Sequence, residues 1–87
     1  MKIKVHTIIN VFCPDDGATE MQVLGSFINE EEARACFQKQ KQIEIDLTQE
    51  HDWIVYCDED TYYEAGEDGN YNNNFGALLW YSQEFEI

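Results

Sequence analysis

Between residues 42 and 87 the chain has no lysine and no arginine. Twelve aspartates and glutamates fall in that stretch, whereas residues 1–41 carry six acids against all five bases. The formal net charge of −13 therefore sits almost wholly in the C-terminal half. Such a balance repels nucleic acid and anionic lipid and attracts basic surfaces. Direct nucleic-acid binding is thereby excluded, but binding to a nucleic-acid-binding protein is not. No apolar run approaches the roughly 20 residues of a membrane span. The opening MKIKVHTIIN alternates instead of building a signal-peptide core, so a soluble, cytoplasmic protein is expected. Cys13, Cys36 and Cys57 are odd in number and widely spaced, which speaks against a disulfide framework and for small apolar packing. No catalytic motif is present.

What the chain does have is enough apolar material for one core. Its 87 residues are 44% hydrophobic and 14% aromatic, well above disordered composition, so residues 1–87 are expected to form one domain. Ile3, Val5, Thr7, Ile9, Val11 and Cys13 share one face of a period-two pattern. Lys2, Lys4, His6 and Asn10 take the other face, interrupted by Ile8 and Phe12, which predicts a half-buried strand. Pro14-Asp15-Asp16-Gly17 supplies turn chemistry. Met21, Val23, Gly25 and Phe27 then alternate with Glu20, Gln22 and Ser26 in a returning hairpin strand. Gly25 inside it marks a bulge or a close approach by the next element.

Asn29 followed by Glu30-Glu31-Glu32 is a helix start: the Asn side chain caps free amides, Glu32 holds the capping-box position, and three carboxylates meet the positive dipole end. Ala33, Cys36, Phe37 and Gln40 form a narrow core stripe, and Glu30 and Arg34 are spaced for an i,i+4 pair. Lys39 and Lys41 suit a helix end near Gln42. Ile43, Ile45 and Leu47 fit either a short strand or an extension of the helical face through Ile43 and Leu47; the extended helix, fraying before Asp52, is preferred. Trp53, Val55 and Cys57 oppose Ile54 and Tyr56 in a strand expected to begin buried on both sides. Its apolar character ends at Asp58, and a long polar connection follows, carrying Gly66, Asp68-Gly69 and Asn72-Asn73-Asn74; connections of that length tend to be functional or mobile. Leu79, Tyr81, Phe85 and Ile87 oppose Trp80, Ser82, Glu84 and Glu86 in the last strand. The expected fold is α+β: β-β-α-β-β, a four-stranded, mostly antiparallel sheet with one helix packed on one face. A right-handed crossover gives strand order 2-1-3-4, which brings Lys2 and Lys4 near the acidic end of strand three; 2-1-4-3 is the alternative.

The stretch Val23-Leu24-Gly25-Ser26-Phe27-Ile28-Asn29-Glu30-Glu31-Glu32-Ala33, with the ending Glu84-Phe85-Glu86-Ile87, resembles small uncharacterised bacterial and phage proteins. In those, a hairpin strand ending Gly-x-Phe leads into a capped helix that opens Glu-Glu-Ala. The resemblance implies a fold and a bacterial or phage-infected cell as setting, and no activity. Residues 58–74 depart from the pattern, which places there whatever is particular to this chain.

Candidate chemistries narrow quickly. Asp58-Glu59-Asp60 lacks the glycine and terminal glutamate of a calcium loop, and Glu67-Asp68-Gly69-Asn70-Tyr71-Asn72 fails the same template. The cysteines and histidines are too scattered for zinc, so no metal site and no cofactor are expected. Cys36 or Cys57 acting with His6 or His51 is disfavoured because acidic surroundings raise a thiol's pKa. Asp58 and Asp60, as a carboxylate pair, have no cleft to work across. The chain is therefore expected not to be an enzyme.

The charge pattern points instead to docking. Same-face residues on a strand repeat every 6.7 Å or so, close to the roughly 6.8 Å advance of two phosphates along one DNA strand. Asp58, Asp60 and Glu64 would present such a row, extended by Glu50, Asp52, Glu67 and Asp68, with Glu59 as a further contact carboxylate and Tyr62, Tyr63 and Tyr71 adding flat amphipathic contact area. This surface is expected to mimic nucleic acid and to occupy a basic protein groove, in monomer or homodimer form. By charge and size it is analogous to the acidic inhibitors that phages use against host defence, of the anti-CRISPR and anti-restriction type. Two alternatives are an interaction or oligomerisation module using Ile54, Tyr56, Leu78 and Trp80 on an open sheet face, and a weak divalent-cation binder.

Overall fold

The alternation of the first thirteen residues does produce a strand, and its partners follow from the register. The computed structural model describes residues 1–14, 17–67 and 74–87. Its elements are β1 (Lys2–Cys13), β2 (Glu20–Phe27), α1 (Glu30–Glu50), β3 (Ile54–Asp58), β4 (Tyr62–Gly66) and β5 (Phe75–Glu86). The fold is α+β: five antiparallel strands in one sheet, ordered β2-β1-β5-β4-β3, with α1 on one face.

Two expectations are corrected here. The sheet has a fifth strand, because part of the supposed polar connection, Tyr62–Gly66, pairs with both β3 and β5. Nor does β3 lie beside β1. The last strand takes that place along its whole length, as in the alternative order, with β4 inserted between it and β3. Lys2 and Lys4 consequently face Glu86 and Glu84 across the ladder, away from β3. The strand β3 is an edge, so Ile54 and Val55 are both about half exposed and not buried on two sides. Of the predicted turn, Asp15 and Asp16 lie outside the described residues, as does 68–73 of the connection.

The helix begins as its sequence requires. The Asn29 Oδ1 accepts from the amides of Glu31 at 2.8 Å and Glu32 at 3.1 Å, and Arg34 meets Glu30 at 3.9 Å. It then runs past Gln42 to Glu50, settling Ile43–Leu47 as helix. Its first half presents the expected stripe, with Ala33 and Phe37 buried and Cys36 packed beside them, but that face does not continue through Ile43 and Leu47. Ile43 and Leu47 are 44% and 39% exposed, while Gln40, Glu44 and Thr48 turn toward the sheet. The Asn10 Nδ2 donates to Glu44 Oε1 at 3.0 Å, the Gln40 Nε2 donates to the same oxygen at 3.3 Å, and the Tyr63 hydroxyl meets Thr48 Oγ1 at 3.0 Å. Beyond the helix, Trp53 N–H reaches the Thr48 carbonyl at 2.9 Å and Asp52 N–H the Gln49 carbonyl at 3.3 Å. This is a Schellman arrangement. Asp52 holds its left-handed position with φ 54°.

Ile8, Ala33, Phe37, Tyr63, Ala65 and Leu78 form the buried cluster, with Leu24, Phe27, Cys36, Ile45, Trp53 and Trp80 packed around it. Ile8 looked like an interruption in β1, yet it is fully buried. The apolar row of β1 points away from the helix. The helix covers the face that holds His6, Ile8 and Asn10, paired with Ser82, Trp80 and Leu78. Gly25 meets the first of the two expectations attached to it: the register slips beside it. The close neighbour is not the helix but the Phe27 ring, 2.7 Å from where a Cβ would lie, whereas Cys36 Sγ of the helix would be in ordinary contact at 3.8 Å. Past the reach of β2 and β4, Lys2–Val5 and Gln83–Glu86 continue as a two-stranded ribbon, giving a molecule 47 × 24 × 16 Å.

Candidate functional site

Six of the candidate acids, Glu50, Asp52, Asp58, Glu59, Asp60 and Glu67, lie at the two ends of the β3–β4 hairpin, while other acids stand at the helix start (Glu30, Glu31, Glu32), in mid-helix (Glu44, Asp46) and at the end of β5 (Glu84, Glu86). At one end, Asp58 closes β3 and a tight turn follows, held by the Glu59 amide donating to the Tyr62 carbonyl at 2.8 Å. Glu59 and Asp60 sit exposed on that turn. At the other end lie Glu50 and Asp52, where the helix stops, and Glu67, just past β4. Lys41 reaches the hairpin from mid-helix, pairing with Asp58 and donating to the Glu59 carbonyl at 3.1 Å.

This placement overturns the evenly spaced row. The strand ends at Asp58, so Asp60 is on a turn and does not continue the strand pitch. Asp58 pairs across from Tyr63 and Cys57 from Glu64, which puts Asp58 on the helix side of the sheet and Glu64 on the opposite side. The phosphate-like spacing is therefore not formed by Asp58, Asp60 and Glu64. Tyr63 is also corrected: it is 2% exposed, with its hydroxyl on Thr48, because the pleat turns it under the helix. Tyr62 lies on the uncovered side and is half-buried. Asp68 and Tyr71 fall outside the described residues.

The helix end is electrostatically unusual. Its last turn has no basic residue, and Glu50 and Asp52 stand where the macrodipole is already negative. Beside it a cleft of about 420 Å³ opens between α1 and the end of the sheet, walled by Trp53, Leu47 and Phe12 together with Glu44, Glu67 and His51. The Glu67 carboxylate accepts from Asn74 Nδ2 at 3.3 Å, and His51 lies against Trp53 with ring centroids 5.7 Å apart. An aromatic wall with carboxylates nearby suits the stem and head of a cationic side chain.

The thiols and histidines are placed apart. His6 is buried, its Nδ1 accepting from Trp80 Nε1 at 3.1 Å and lying 2.7 Å from Ser82 Oγ. Burial pushes the half-buried Cys57 thiol up, and the carboxylates of Glu59, Glu64 and Asp58 push it the same way. That disfavours the nucleophilic thiolate. Among the described residues, no three His, Cys, Asp or Glu side chains converge as a metal site would require, and no helix is long and apolar enough to cross a membrane.

An open sheet face is present, as one of the alternative readings expected, but its residues are largely not the expected Ile54, Tyr56, Leu78 and Trp80. Ile54 does belong to it, but Leu78 is fully buried under the helix and Trp80 shares that inner face. The residues that line the uncovered side are those of the apolar row of β1, with Met21 and Val23 of β2 and Leu79, Tyr81 and Phe85 of β5. The signal was in the sequence: β1 and β5 carry apolar residues in both alternation rows, Ile8 and Phe12 against the row Ile3 to Cys13 and Trp80 against Leu79 and Tyr81, and so need two covers, whereas the described residues hold one helix. No family model, curated protein or solved structure matches this chain.

Proposed function

We propose that this chain is a small non-enzymatic binding protein whose acidic helix end and β3–β4 hairpin dock on a basic protein surface that otherwise holds nucleic acid. One observation carries the reading: carboxylates are kept where they cost stability. Glu50 and Asp52 crowd the negative end of α1 with no base in the last turn, and Asp52 does so from a left-handed position that suits glycine better. Solubility alone is served by mixed signs, and residues 42–87 contain no Lys and no Arg. The cleft beside the helix end adds an aromatic and carboxylate lining for a partner's Arg or Lys. The charges do not copy a phosphate row, so the mimicry is of potential and not of spacing. An anti-defence inhibitor acting in the cytoplasm of a bacterial or phage-infected cell fits this description by analogy of charge and size.

The test is capture of partners from bacterial lysate at about 50 mM and about 500 mM salt, followed by competition with DNA and RNA. A basic nucleic-acid-binding protein should be retained at low salt, released at high salt and displaced by nucleic acid. Replacing Glu50, Asp52, Glu59 and Asp60 together by Lys should abolish capture while circular dichroism stays unchanged. Capture that is insensitive to salt, nucleic acid and those reversals would refute the reading.

A further inference from the structure

We infer that two copies of this chain pack face to face through the uncovered side of the sheet, along the β1–β5 ladder. Register places Ile3, Val5, Ile9 and Val11 of β1 beside Phe85, Gln83, Leu79 and Ala77 of β5 on that side. Tyr81, Val23 and Met21 there are 54%, 57% and 70% exposed. Single exposed apolar residues need no explanation, but a contiguous sheet face of them does.

Charge says what covers it. Among the described residues, Glu64 is the one charged strand residue whose register partner lies on this side; Lys2, Lys4, Glu20, Asp58, Glu84 and Glu86 all pair on the helix side. A basic partner would have nothing to grip here. A second copy would, because across a two-fold axis each side chain meets the same surface patch, and like charges there would oppose one another. In a chain of net charge −13, a self-pairing face is the one that has to shed its carboxylates. Those of the helix stand across a molecule 16 Å thick, roughly two Debye lengths at physiological ionic strength from the opposite copy.

Size agrees. The broad side of the molecule measures 47 × 24 Å, a footprint on the order of 1,000 Å² against the roughly 800 Å² per partner of a standard interface. The two-stranded ribbon points the same way. A lone pair of strands is marginal in water, whereas a second sheet laid over it would cover Ile3 and Phe85. The pairing is then an aligned two-sheet packing with the helices outermost.

Sedimentation equilibrium on the full chain tests this, at micromolar to hundred-micromolar concentrations and two salt levels. The expected mass is twice that of the chain, with association tightening as salt rises, opposite in sign to the basic-partner contact. Tyr81→Glu combined with Val23→Glu should weaken the dimer roughly a hundredfold, the effect of burying unpaired charge. Both sites are exposed in the single copy, so its far-ultraviolet circular dichroism and melting as a monomer should be preserved. Glu64→Gln should tighten the dimer. A wild-type monomer at the highest concentration in high salt overturns the inference, and so does a dimer that survives the double substitution. Either result leaves the charge-dependent capture experiment standing.

Discussion

The two sides of the sheet invert the usual relation between apolar surface and burial. Under the helix the strands present a mosaic: Ile8, Tyr63, Ala65 and Leu78 pack on Phe37, while Asn10 and Tyr63 bond to Glu44 and Thr48 of α1. The uncovered side is the more uniformly apolar of the two, and it is the wetter. What fixes the helix in place is therefore not the richest apolar row. A few large side chains provide the burial, and a polar register decides which face the helix takes. Hydrogen bonds are directional and hydrophobic contact is not, so the mosaic specifies one helix position where a plain apolar face would accept many.

The sharpest way to break this comparison is Phe37→Ala. Removing the ring from the centre of the buried cluster should cost about 3–5 kcal/mol, while Val23→Ala on the other side should change the unfolding free energy of the monomer by well under 1 kcal/mol. Chemical denaturation of both variants measures the contrast, and comparable losses would mean that the uncovered side is closed within a single copy. A smaller effect tests the polar register. Tyr63→Phe deletes the hydroxyl bonded to Thr48 and should cost about 1 kcal/mol, read from the same denaturation curves with the slope unchanged. The smallest runs the other way. Asp52→Gly relieves the left-handed backbone and removes a charge from the negative helix end, which should stabilise by about 0.5–1 kcal/mol. It should also weaken capture of a basic partner, and a variant that binds better would argue against a role for that carboxylate.

Local chemistry was the legible part of the fold. The Asn29 cap, the Glu30–Arg34 pair, the β1–β2 hairpin and the pinch at Gly25 each depend on residues close in sequence, and each was readable. Side choice was not. The row Ile3 to Cys13 and the pair Ile8 and Phe12 both compete for a cover, and the decision rests on what α1 brings beyond its expected stripe: Glu44 and Thr48, polar groups that period counting assigns to solvent. The strand Tyr62–Gly66 was hidden for a similar reason. Its short span holds Glu64 and Gly66 beside an acidic turn, but Tyr63 and Ala65 alternate with Tyr62 and Glu64, and two adjacent tyrosines favour a strand. Of the candidate docking residues, Glu50, Asp52, Glu59 and Asp60 are exposed. The even row through Asp58, Asp60 and Glu64 is not formed, because a turn at Glu59 cannot be inferred from a run of carboxylates.

The middle of the sheet joins the chain's earliest and latest strands, with Cys13 opposite Phe75 at the nearer end of the ladder. Closing a loop of about sixty residues costs roughly 2 kcal/mol more chain entropy than closing the short hairpin between β1 and β2. Folding should accordingly be slow for so small a protein, in the range of milliseconds to seconds common to topologies dominated by distant contacts. Until β5 arrives on a ribosome-bound chain, the β1–β2 hairpin holds its apolar row with one edge bare. Exposed apolar surface beside an unpaired strand edge is the combination that makes an incomplete chain prone to aggregate.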